Sequence, residues 1–295
     1  MTTAPSVARP RQSRRGRAGL ATLIWPALIV VAGAFLYPVA LLVWRSVSEP
    51  TFGLTIYEAV LGDSVTWTIM GRTLFMAVVV TGVTLLLGYP YAYVMTLVGP
   101  RALTVLTALV LLPFWTSLMA RTFAWVVLLQ KGGPVGWALA ELGLVDIDEF
   151  QLTKTAVGVT IGMAQVLLPF MVLPLYSAFK GIDRSLITAA QSMGARPVTA
   201  FALVYLPLSL SGVVAGVTLV LVLALGFYIT PVLLGSPQEM MISQLIAQKV
   251  NPLLDFPTAG ALSFILLAVA LGLLAAVSRI SAPSATLGLT DGKTR

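Results

Sequence analysis

Residues 187–212 read ITAAQSMGARPVTAFALVYLPLSLSG, and this stretch decides how the chain around it is organised. Long apolar segments precede and follow it, yet its first half carries polar residues and signals that end helices. Gly194 is able to adopt the left-handed conformation that ends a helix. Pro197 suits the first turn of the next helix, because its missing N–H has no intrahelical partner there. The stretch therefore predicts two short helices joined by a turn at the membrane surface.

This helix–turn–helix elbow, residues 183–207, has predictable ends. Asp183 suits the N-cap of a helix that runs through Met193, because its carboxylate accepts hydrogen bonds from first-turn amides. Pro207 is expected to bend the chain toward the following apolar segment. Small side chains at Ala189 and Ala190 predict a surface of low relief that fits a groove on a partner protein.

The composition is that of a membrane protein. Hydrophobic residues occupy 58% of the 295 positions, charged residues only 10%, and the mean hydropathy is +0.96. A helix needs about 20 apolar residues to cross the hydrocarbon core. We predict an all-α fold in which residues 18–281 form a transmembrane domain of six spans. Their predicted ranges are 18–44, 73–98, 102–129, 155–179, 208–234 and 256–278.

Charge on the connecting segments predicts the orientation. Both terminal segments and alternate loops carry 12 of the 18 basic residues and 2 of the 11 acidic ones, which places both termini in the cytoplasm. We expect residues 1–17 to be a disordered basic N-terminal segment and residues 282–295 to be a cytoplasmic tail. The arginines before the first span are read as a topology anchor that contacts membrane lipid. A regulatory or nucleic-acid role for them is the alternative, and no nucleic-acid partner is expected.

Several kinds of chemistry are excluded by composition. The chain has no Cys and no His, so it lacks thiolate nucleophiles, Cys-ligated zinc and the commonest metal ligand. No Asp or Glu lies within a predicted span, so acid–base pairs cannot be assembled there. We therefore predict no catalytic residue, no metal site and no cofactor on this chain.

The elbow resembles the coupling loop of ABC importer permeases. That family's pattern is Glu-Ala-Ala, three residues, Gly, nine residues, Ile, one residue and Leu-Pro. The matching positions here are Thr188, Ala189, Ala190, Gly194, Val204, Leu206 and Pro207. Thr188 stands where the family has Glu, and Val204 where it has Ile. The spacing agrees at every step.

The resemblance implies a type I ABC importer permease in the bacterial inner membrane, closest to the membrane subunits of spermidine/putrescine importers. Further stretches that look alike are Gly88-Tyr-Pro-Tyr-Ala92, Leu111-Leu-Pro-Phe-Trp-Thr116 and Gly226-Phe-Tyr-Ile-Thr-Pro231. The implied partners are cytoplasmic ATP-binding subunits, a second permease and an extracytoplasmic substrate-binding protein. A heterodimer is expected, with a homodimer as the alternative. ATP and Mg²⁺ belong to the partner subunit, since this chain has no G-x-x-x-x-G-K-[ST] loop.

The resemblance assigns candidate coupling residues, and side-chain chemistry suggests candidates for the substrate path. Those expected to couple to the ATPase are Thr188, Ala189, Ala190, Met193, Gly194, Ala195 and Pro207. Candidates for the substrate path are Phe114, Trp115, Arg121, Trp125, Gln165, Tyr176, Phe227 and Tyr228. Aromatic faces attract cations, but aromatic residues in membranes also serve packing and interfaces. Arg121 has two readings as well, a charge in the path or a side chain that snorkels toward the surface.

A polyamine or related small cation is the expected cargo. Acidic residues in the predicted outer segments, such as Glu239 and Asp255, would attract a cation, although the positive-inside rule alone leaves acids outside. Other small solutes, namely an opine, a phosphonate, thiamine or iron, are alternatives within the family. An ion-coupled secondary transporter is the alternative from another class, but it requires membrane carboxylates or broken-helix ion sites and leaves the elbow unexplained.

Overall fold

The computed structural model describes residues 15–49, 52–147 and 149–285, which form helices, turns and loops without a β-strand. In chain order the helices are α1 (Arg15–Ser48), α2 (Thr55–Gly62), α3 (Ser64–Met95), α4 (Pro100–Leu111), a 3₁₀ turn (Leu112–Trp115), α5 (Leu118–Leu129) and α6 (Pro134–Glu141). They continue with α7 (Ala156–Lys180), α8 (Ser185–Ser192), α9 (Pro197–Ala200), a π-helical segment (Phe201–Tyr205), α10 (Leu206–Leu225) and α11 (Ile229–Leu234). A 3₁₀ turn (Pro237–Glu239), α12 (Ile242–Val250) and α13 (Phe256–Ala285) complete the chain.

Five helices are long and apolar enough to cross a membrane, and a bent pair makes a sixth crossing if it is counted as one. Several extend past the predicted spans: α3 begins at Ser64, α1 at Arg15 and α13 ends at Ala285. Backbone hydrogen bonding continues beyond the hydrocarbon core of the membrane. Hydropathy therefore locates only the apolar part of a helix, whereas a capping residue marks its end. Asp63 caps α3 by accepting hydrogen bonds from the amides of Val65 and Thr66, each at 3.1 Å. Residues 1–14 and 286–295, which include most of the two predicted terminal segments, lie outside the described residues.

The predicted third span, 102–129, is wrong as one continuous helix. The chain bends by 100° between Pro100–Trp115 and Leu118–Glu141. Pro113 lacks the N–H that continues α-helical bonding, and the α-helix gives way to a 3₁₀ turn. Thr116 then adopts an extended conformation, and its amide and hydroxyl both donate to the Pro113 carbonyl at 3.2 and 3.0 Å.

The predicted fifth span, 208–234, is wrong at both ends. Its helix begins at Pro197 and ends at Leu225, and α11 is a separate short helix. Pro231 has no N–H to donate to the Phe227 carbonyl, so a continuous helix would leave that carbonyl unpaired. The Ser243 hydroxyl donates to it instead, at 2.6 Å.

The core of the described residues lies where α3, α7 and α10 pack against one another. Fully buried side chains from all three helices meet there, including Val80, Met171, Leu175 and Val220. Helix α1 lies at the edge of the molecule and packs chiefly on α13. The fold is therefore a three-helix core with the remaining apolar helices around it.

Two glycines of α10 allow it to approach α7 closely. A Cβ added at Gly212 would lie 2.5 Å from the Ala178 Cβ, and one added at Gly216 would lie 2.7 Å from the Met171 sulfur. The G-x-x-x-G spacing of these two glycines, which is typical of helices that approach closely, thus serves packing inside this chain.

We expect Gly212→Ala to destabilise the protein by about 1–3 kcal/mol, because the added methyl overlaps backbone and side-chain atoms of α7 that have no room to move. The measurement is the thermal unfolding midpoint in detergent, with Gly82→Ala as control. A Cβ at Gly82 meets nothing within 4 Å, and Ala favours helix, so the control should be unchanged or slightly more stable. Equal midpoints for the two variants would contradict the close-approach explanation.

Candidate functional site

The first helix of the elbow is α8, and its N-terminal end is set by Asp183. The Asp183 carboxylate accepts a hydrogen bond from the Ser185 amide at 2.9 Å, and this bond lowers the pKa of Asp183. Asp183 is the predicted N-cap, whereas α8 begins at Ser185 and Arg184 occupies the N-cap position. The difference arises because the first turn is tight: the Ile187 amide donates to the Arg184 carbonyl, an i to i+3 bond.

The C-terminal end of α8 is a Schellman motif. Gly194 has φ +94°, the left-handed conformation that was predicted for it. Its amide donates to the Gln191 carbonyl at 2.9 Å, and the Ala195 amide donates to the Ala190 carbonyl at 3.1 Å. These two bonds pair carbonyls that the helix end would otherwise leave free, so the chain reverses within three residues.

The second half of the elbow differs from the prediction at Pro207. Pro197 occupies the first turn of α9, as its chemistry favours, but the chain then continues into α10 without a sharp bend. The helix accommodates Pro207 by widening: the Leu206 amide donates to the Phe201 carbonyl, five residues back, in the π-helical segment. This widening opens the turn beside the Leu203 carbonyl, with which the proline ring would otherwise clash. The long α9–π–α10 rod therefore enters the membrane directly from the elbow.

The elbow presents an apolar surface to solvent. Met193 is 83% exposed, Val198 79% and Leu203 73%, and Leu186 is also exposed. Thr188 and Ala189 are exposed, but Ala190 is buried, so the prediction that both alanines form the surface is wrong for Ala190. The period of the helix explains the difference, because neighbouring positions differ by about 100° around its axis. Ala195 is half-buried and Pro207 exposed.

One arginine attaches the elbow to a different helix. The Arg184 guanidinium donates to the carbonyl oxygen of Thr96 and also to its hydroxyl, the latter at 3.1 Å. Thr96 is the C-cap of α3, where terminal carbonyls have no intrahelical partner. A cation at this position also complements the negative end of the helix dipole.

Behind the elbow lies an aromatic cluster, defined as Tyr89, Tyr93, Phe179, Phe201 and Tyr205. Its rings come from α3, α7 and the π-helical segment, and their centroids lie 4.9 to 6.4 Å apart in six pairs. Five pairs are edge-to-face, which favours the ring quadrupoles, and Phe201 stacks on Tyr205. The cluster joins the cytoplasmic ends of three spans, given the predicted orientation.

The candidate path residues do not form one site. Phe114 makes an edge contact with Phe170, their ring centroids 5.3 Å apart, while Trp115 at the bend is 78% exposed. Trp125, Tyr176 and Phe227 are partly buried against the core. Tyr228 lines a separate cleft of about 270 Å³ that also contains Ser236 and Gln248.

Gln165 lines a second cleft, of about 240 Å³, between α3, α4, the first 3₁₀ turn and α7. Tyr91, Pro113 and Pro169 form part of its wall, and the Tyr91 hydroxyl donates to the Leu106 carbonyl at 2.9 Å. The Gln165 Oε1 atom is buried and accepts no hydrogen bond from any described residue. An acceptor in this position suits a solute that brings its own N–H donors.

Arg121 lies in the first turn of α5, just after the bend. Its Nε atom is buried without a hydrogen bond, and the two ion pairs among the described residues, Arg45 with Glu49 and Lys249 with Asp255, do not include it. The side chain is half-buried, so snorkelling and a place in the path both stay open.

Acidic residues expected to attract a cation already have partners in two cases. Asp255 pairs with Lys249 at 3.7 Å, and Glu239 accepts a hydrogen bond from the Ser236 hydroxyl. Among the residues that the structure describes, no group of three or more acidic side chains is placed to hold a metal ion.

The roles of Arg184, Thr96 and the aromatic cluster were not predictable from the sequence pattern. Arg184 was counted only as one of the basic residues that fix orientation. The aromatic positions are far apart in sequence, from 89 to 205, so only the packing of the helices brings them together. A weak signal was available in the tyrosines of Gly88-Tyr-Pro-Tyr-Ala92, one of which, Tyr89, faces the elbow.

The chain is similar in sequence to known proteins. The family model for a binding-protein-dependent transport system inner membrane component matches residues 102–282. The spermidine/putrescine transport system permease protein PotB of Haemophilus influenzae is 31% identical over 247 residues, which are 81% of each chain. The inner membrane ABC transporter permease protein YdcU of Escherichia coli is 34% identical over 222 residues, covering 72% of this chain and 71% of that one.

A solved structure supports the same fold. The crystal structure of a bacterial ABC transporter involved in the import of the acidic polysaccharide alginate contains a chain that superposes with a TM-score of 0.68 at 20% identity, covering 94% of this chain and 98% of its own. This chain is therefore a multi-pass inner membrane protein, and it belongs to the family of binding-protein-dependent transport system inner membrane components, the permease subunits of ABC importers.

Proposed function

We propose that this chain is half of the translocation path of an importer that a separate ATPase subunit drives through the elbow. The observation that carries the proposal is the elbow surface itself. The elbow, in which α8 ends sharply at Gly194, presents Met193, Val198 and Leu203 to solvent, and the charge distribution predicts that this loop is cytoplasmic. Exposed apolar residues of this kind mark a surface for a protein partner.

The partners follow from the family. ATP and Mg²⁺ bind to the nucleotide-binding subunit, and this chain supplies no catalytic group. A second permease, expected to be a related but different chain, completes the path. A substrate-binding protein delivers the solute to the outer face, where the segment around α6 is the proposed contact, with a plain solvated loop as the alternative.

The proposed cargo is a polyamine or a related small cation. Two observations support it: the 31% identity to spermidine/putrescine permeases, and the buried Gln165 oxygen that lacks a donor. The predicted spans contain no Asp or Glu, so a cation would cross on carbonyl dipoles and aromatic faces, with Trp115 the most exposed candidate aromatic. Arg121 weighs against this cargo if it lines the path, because like charges repel.

We expect Gly194→Val to abolish both transport and co-purification of the ATPase subunit. A β-branched residue is strongly disfavoured at φ +94°, so the Schellman motif and the surface that follows it would rearrange. Gly99→Val is the matched control in another cytoplasmic loop, because Gly99 has φ −70° and a Cβ there meets nothing within 4 Å.

A second substitution separates the surface from the fold of the elbow. Ala189→Trp adds bulk to an exposed position and should prevent ATPase binding, whereas Ala268→Trp, exposed on α13, should not. Full transport and normal co-purification in both Gly194→Val and Ala189→Trp would contradict the coupling role.

The cargo is tested with the complete transporter in proteoliposomes, supplied with its binding protein. Spermidine and putrescine should each stimulate ATP hydrolysis and accumulate inside the vesicles, and thiamine, iron, an opine and a phosphonate should not. Stimulation by a phosphonate and not by the amines would overturn the cargo while leaving the permease role intact.

A further inference from the structure

We infer that Arg184 and the aromatic cluster are positioning residues that carry movement of the elbow into α3, α7 and α10 together. The inference rests on the function proposed above, in which an ATPase subunit binds the elbow. It concerns which contacts transmit movement of the elbow to the membrane helices. The exposed surface alone does not determine this.

Arg184 gives the elbow a fixed attachment to α3. Arg184 and Thr96 are 88 positions apart in the sequence. The Arg184 guanidinium contacts both the carbonyl and the hydroxyl of Thr96. Both hydrogen bonds are donated by the same nitrogen, Nη2, so the attachment holds one end of the guanidinium against the end of α3. The Thr96 hydroxyl in turn donates to the carbonyl of Tyr93 at 2.7 Å, so the attachment adjoins the aromatic cluster.

The aromatic cluster joins the elbow to the remaining helices. The α8 helix packs against the π-helical segment, which supplies Phe201 and Tyr205. Phe201 contacts Tyr89 and Tyr93 of α3, with ring centroids 6.4 and 5.7 Å away. Tyr205 contacts Phe179 of α7 at 5.5 Å. A push on α8 is therefore passed through the π-helical segment to rings of α3 and α7.

A hydrogen bond reinforces the same junction. The Tyr89 hydroxyl lies 3.0 Å from the Ser209 hydroxyl of α10, which also donates to the Leu206 carbonyl at 2.7 Å. Ser209 is fully buried. This bond ties the first turn of α10, just past the π-helical segment, to α3.

Rings are suited to this role because they are stiff. An aromatic side chain has only two rotatable bonds, and edge-to-face pairs hold a preferred orientation that aliphatic side chains do not. Replacing Phe201 by Leu keeps the position apolar but removes three ring contacts. The elbow would then move without moving α3 to the same extent.

The experiment uses the full transporter reconstituted with its ATPase subunits and binding protein, and compares Phe201→Leu and Arg184→Gln with the wild type. The matched controls are Phe75→Leu, an exposed ring on α3, and Arg101→Gln, an exposed arginine at the start of α4. Both junction variants should still co-purify with the ATPase subunit. The ATP hydrolysed per molecule of solute transported should rise by about tenfold in each and stay unchanged in the controls.

Two further variants separate the proposed role from loss of charge or loss of folding. Arg184→Lys retains the charge at the end of α3 but has a shorter reach than the guanidinium, so it should preserve coupling in part. If Phe201→Leu is not recovered from the membrane, Tyr93→Leu removes a half-buried ring from the same cluster and should give the same rise.

An unchanged ratio of ATP hydrolysed to solute transported in Phe201→Leu and Arg184→Gln would overturn the inference. Loss of ATPase binding in parallel with loss of transport would also overturn it, because that result indicates only that these residues maintain the shape of the elbow. Either result leaves the proposed function standing. Failure of the wild-type chain to bind any ATPase subunit would overturn both.

Discussion

The packing of α10 against α7 is the contact on which the rest of the structure depends. Gly212 and Gly216 bring the two helices close enough that a methyl group at either position would overlap α7. This close approach brings the π-helical segment beside the end of α7, where Tyr205 meets Phe179. The elbow, the aromatic cluster and the attachment of Arg184 to α3 all require that placement.

Hydropathy and helix-end chemistry predicted much of the fold. The apolar runs placed the membrane helices, and the glycine and proline of the elbow predicted both its Schellman turn and the start of α9. The errors came at Pro113, Pro207 and Pro231, and they have a common physical reason. A proline removes one backbone donor and adds a ring, but the chain can accommodate it in several ways. At Pro113 it forms a 3₁₀ turn with a 100° bend, and before Pro207 it widens into a π-helical segment. At Pro231 the helix breaks, and the Ser243 hydroxyl donates to the unpaired Phe227 carbonyl. Which response occurs depends on neighbouring helices that local sequence does not specify.

The candidate site was predictable to the extent that it is local. Gly194 and Asp183 act through residues next to them in sequence, so their roles in the elbow follow from spacing. Ala190 faces inward because of what α8 packs on, and Arg184 reaches Thr96 across 88 positions. The path residues illustrate the same limit more strongly, since Tyr228 and Gln165 line different clefts. Contacts formed by tertiary packing were out of reach of pattern reasoning.

The proposed function assigns selectivity and energy supply to different subunits. The described part of the chain offers few polar groups to a solute, chiefly the Gln165 amide and the aromatic faces near the bend, whereas the elbow is well defined and apolar. Such a subunit suits a transporter in which a binding protein chooses the solute and an ATPase supplies the energy. The permease then contributes a gate and the linkage that moves it.

The central claim is that the elbow is the surface on which an ATPase subunit acts from the cytoplasm, and site-specific cross-linking tests it most directly. The chain contains no cysteine, so Met193→Cys introduces a single thiol at its most exposed elbow residue. In inner-membrane vesicles containing the whole transporter, this thiol should cross-link to the ATPase subunit, while Trp137→Cys on α6 should not. Absence of any cross-link at position 193, or labelling of that thiol by an impermeant reagent from the periplasmic side, would contradict the account.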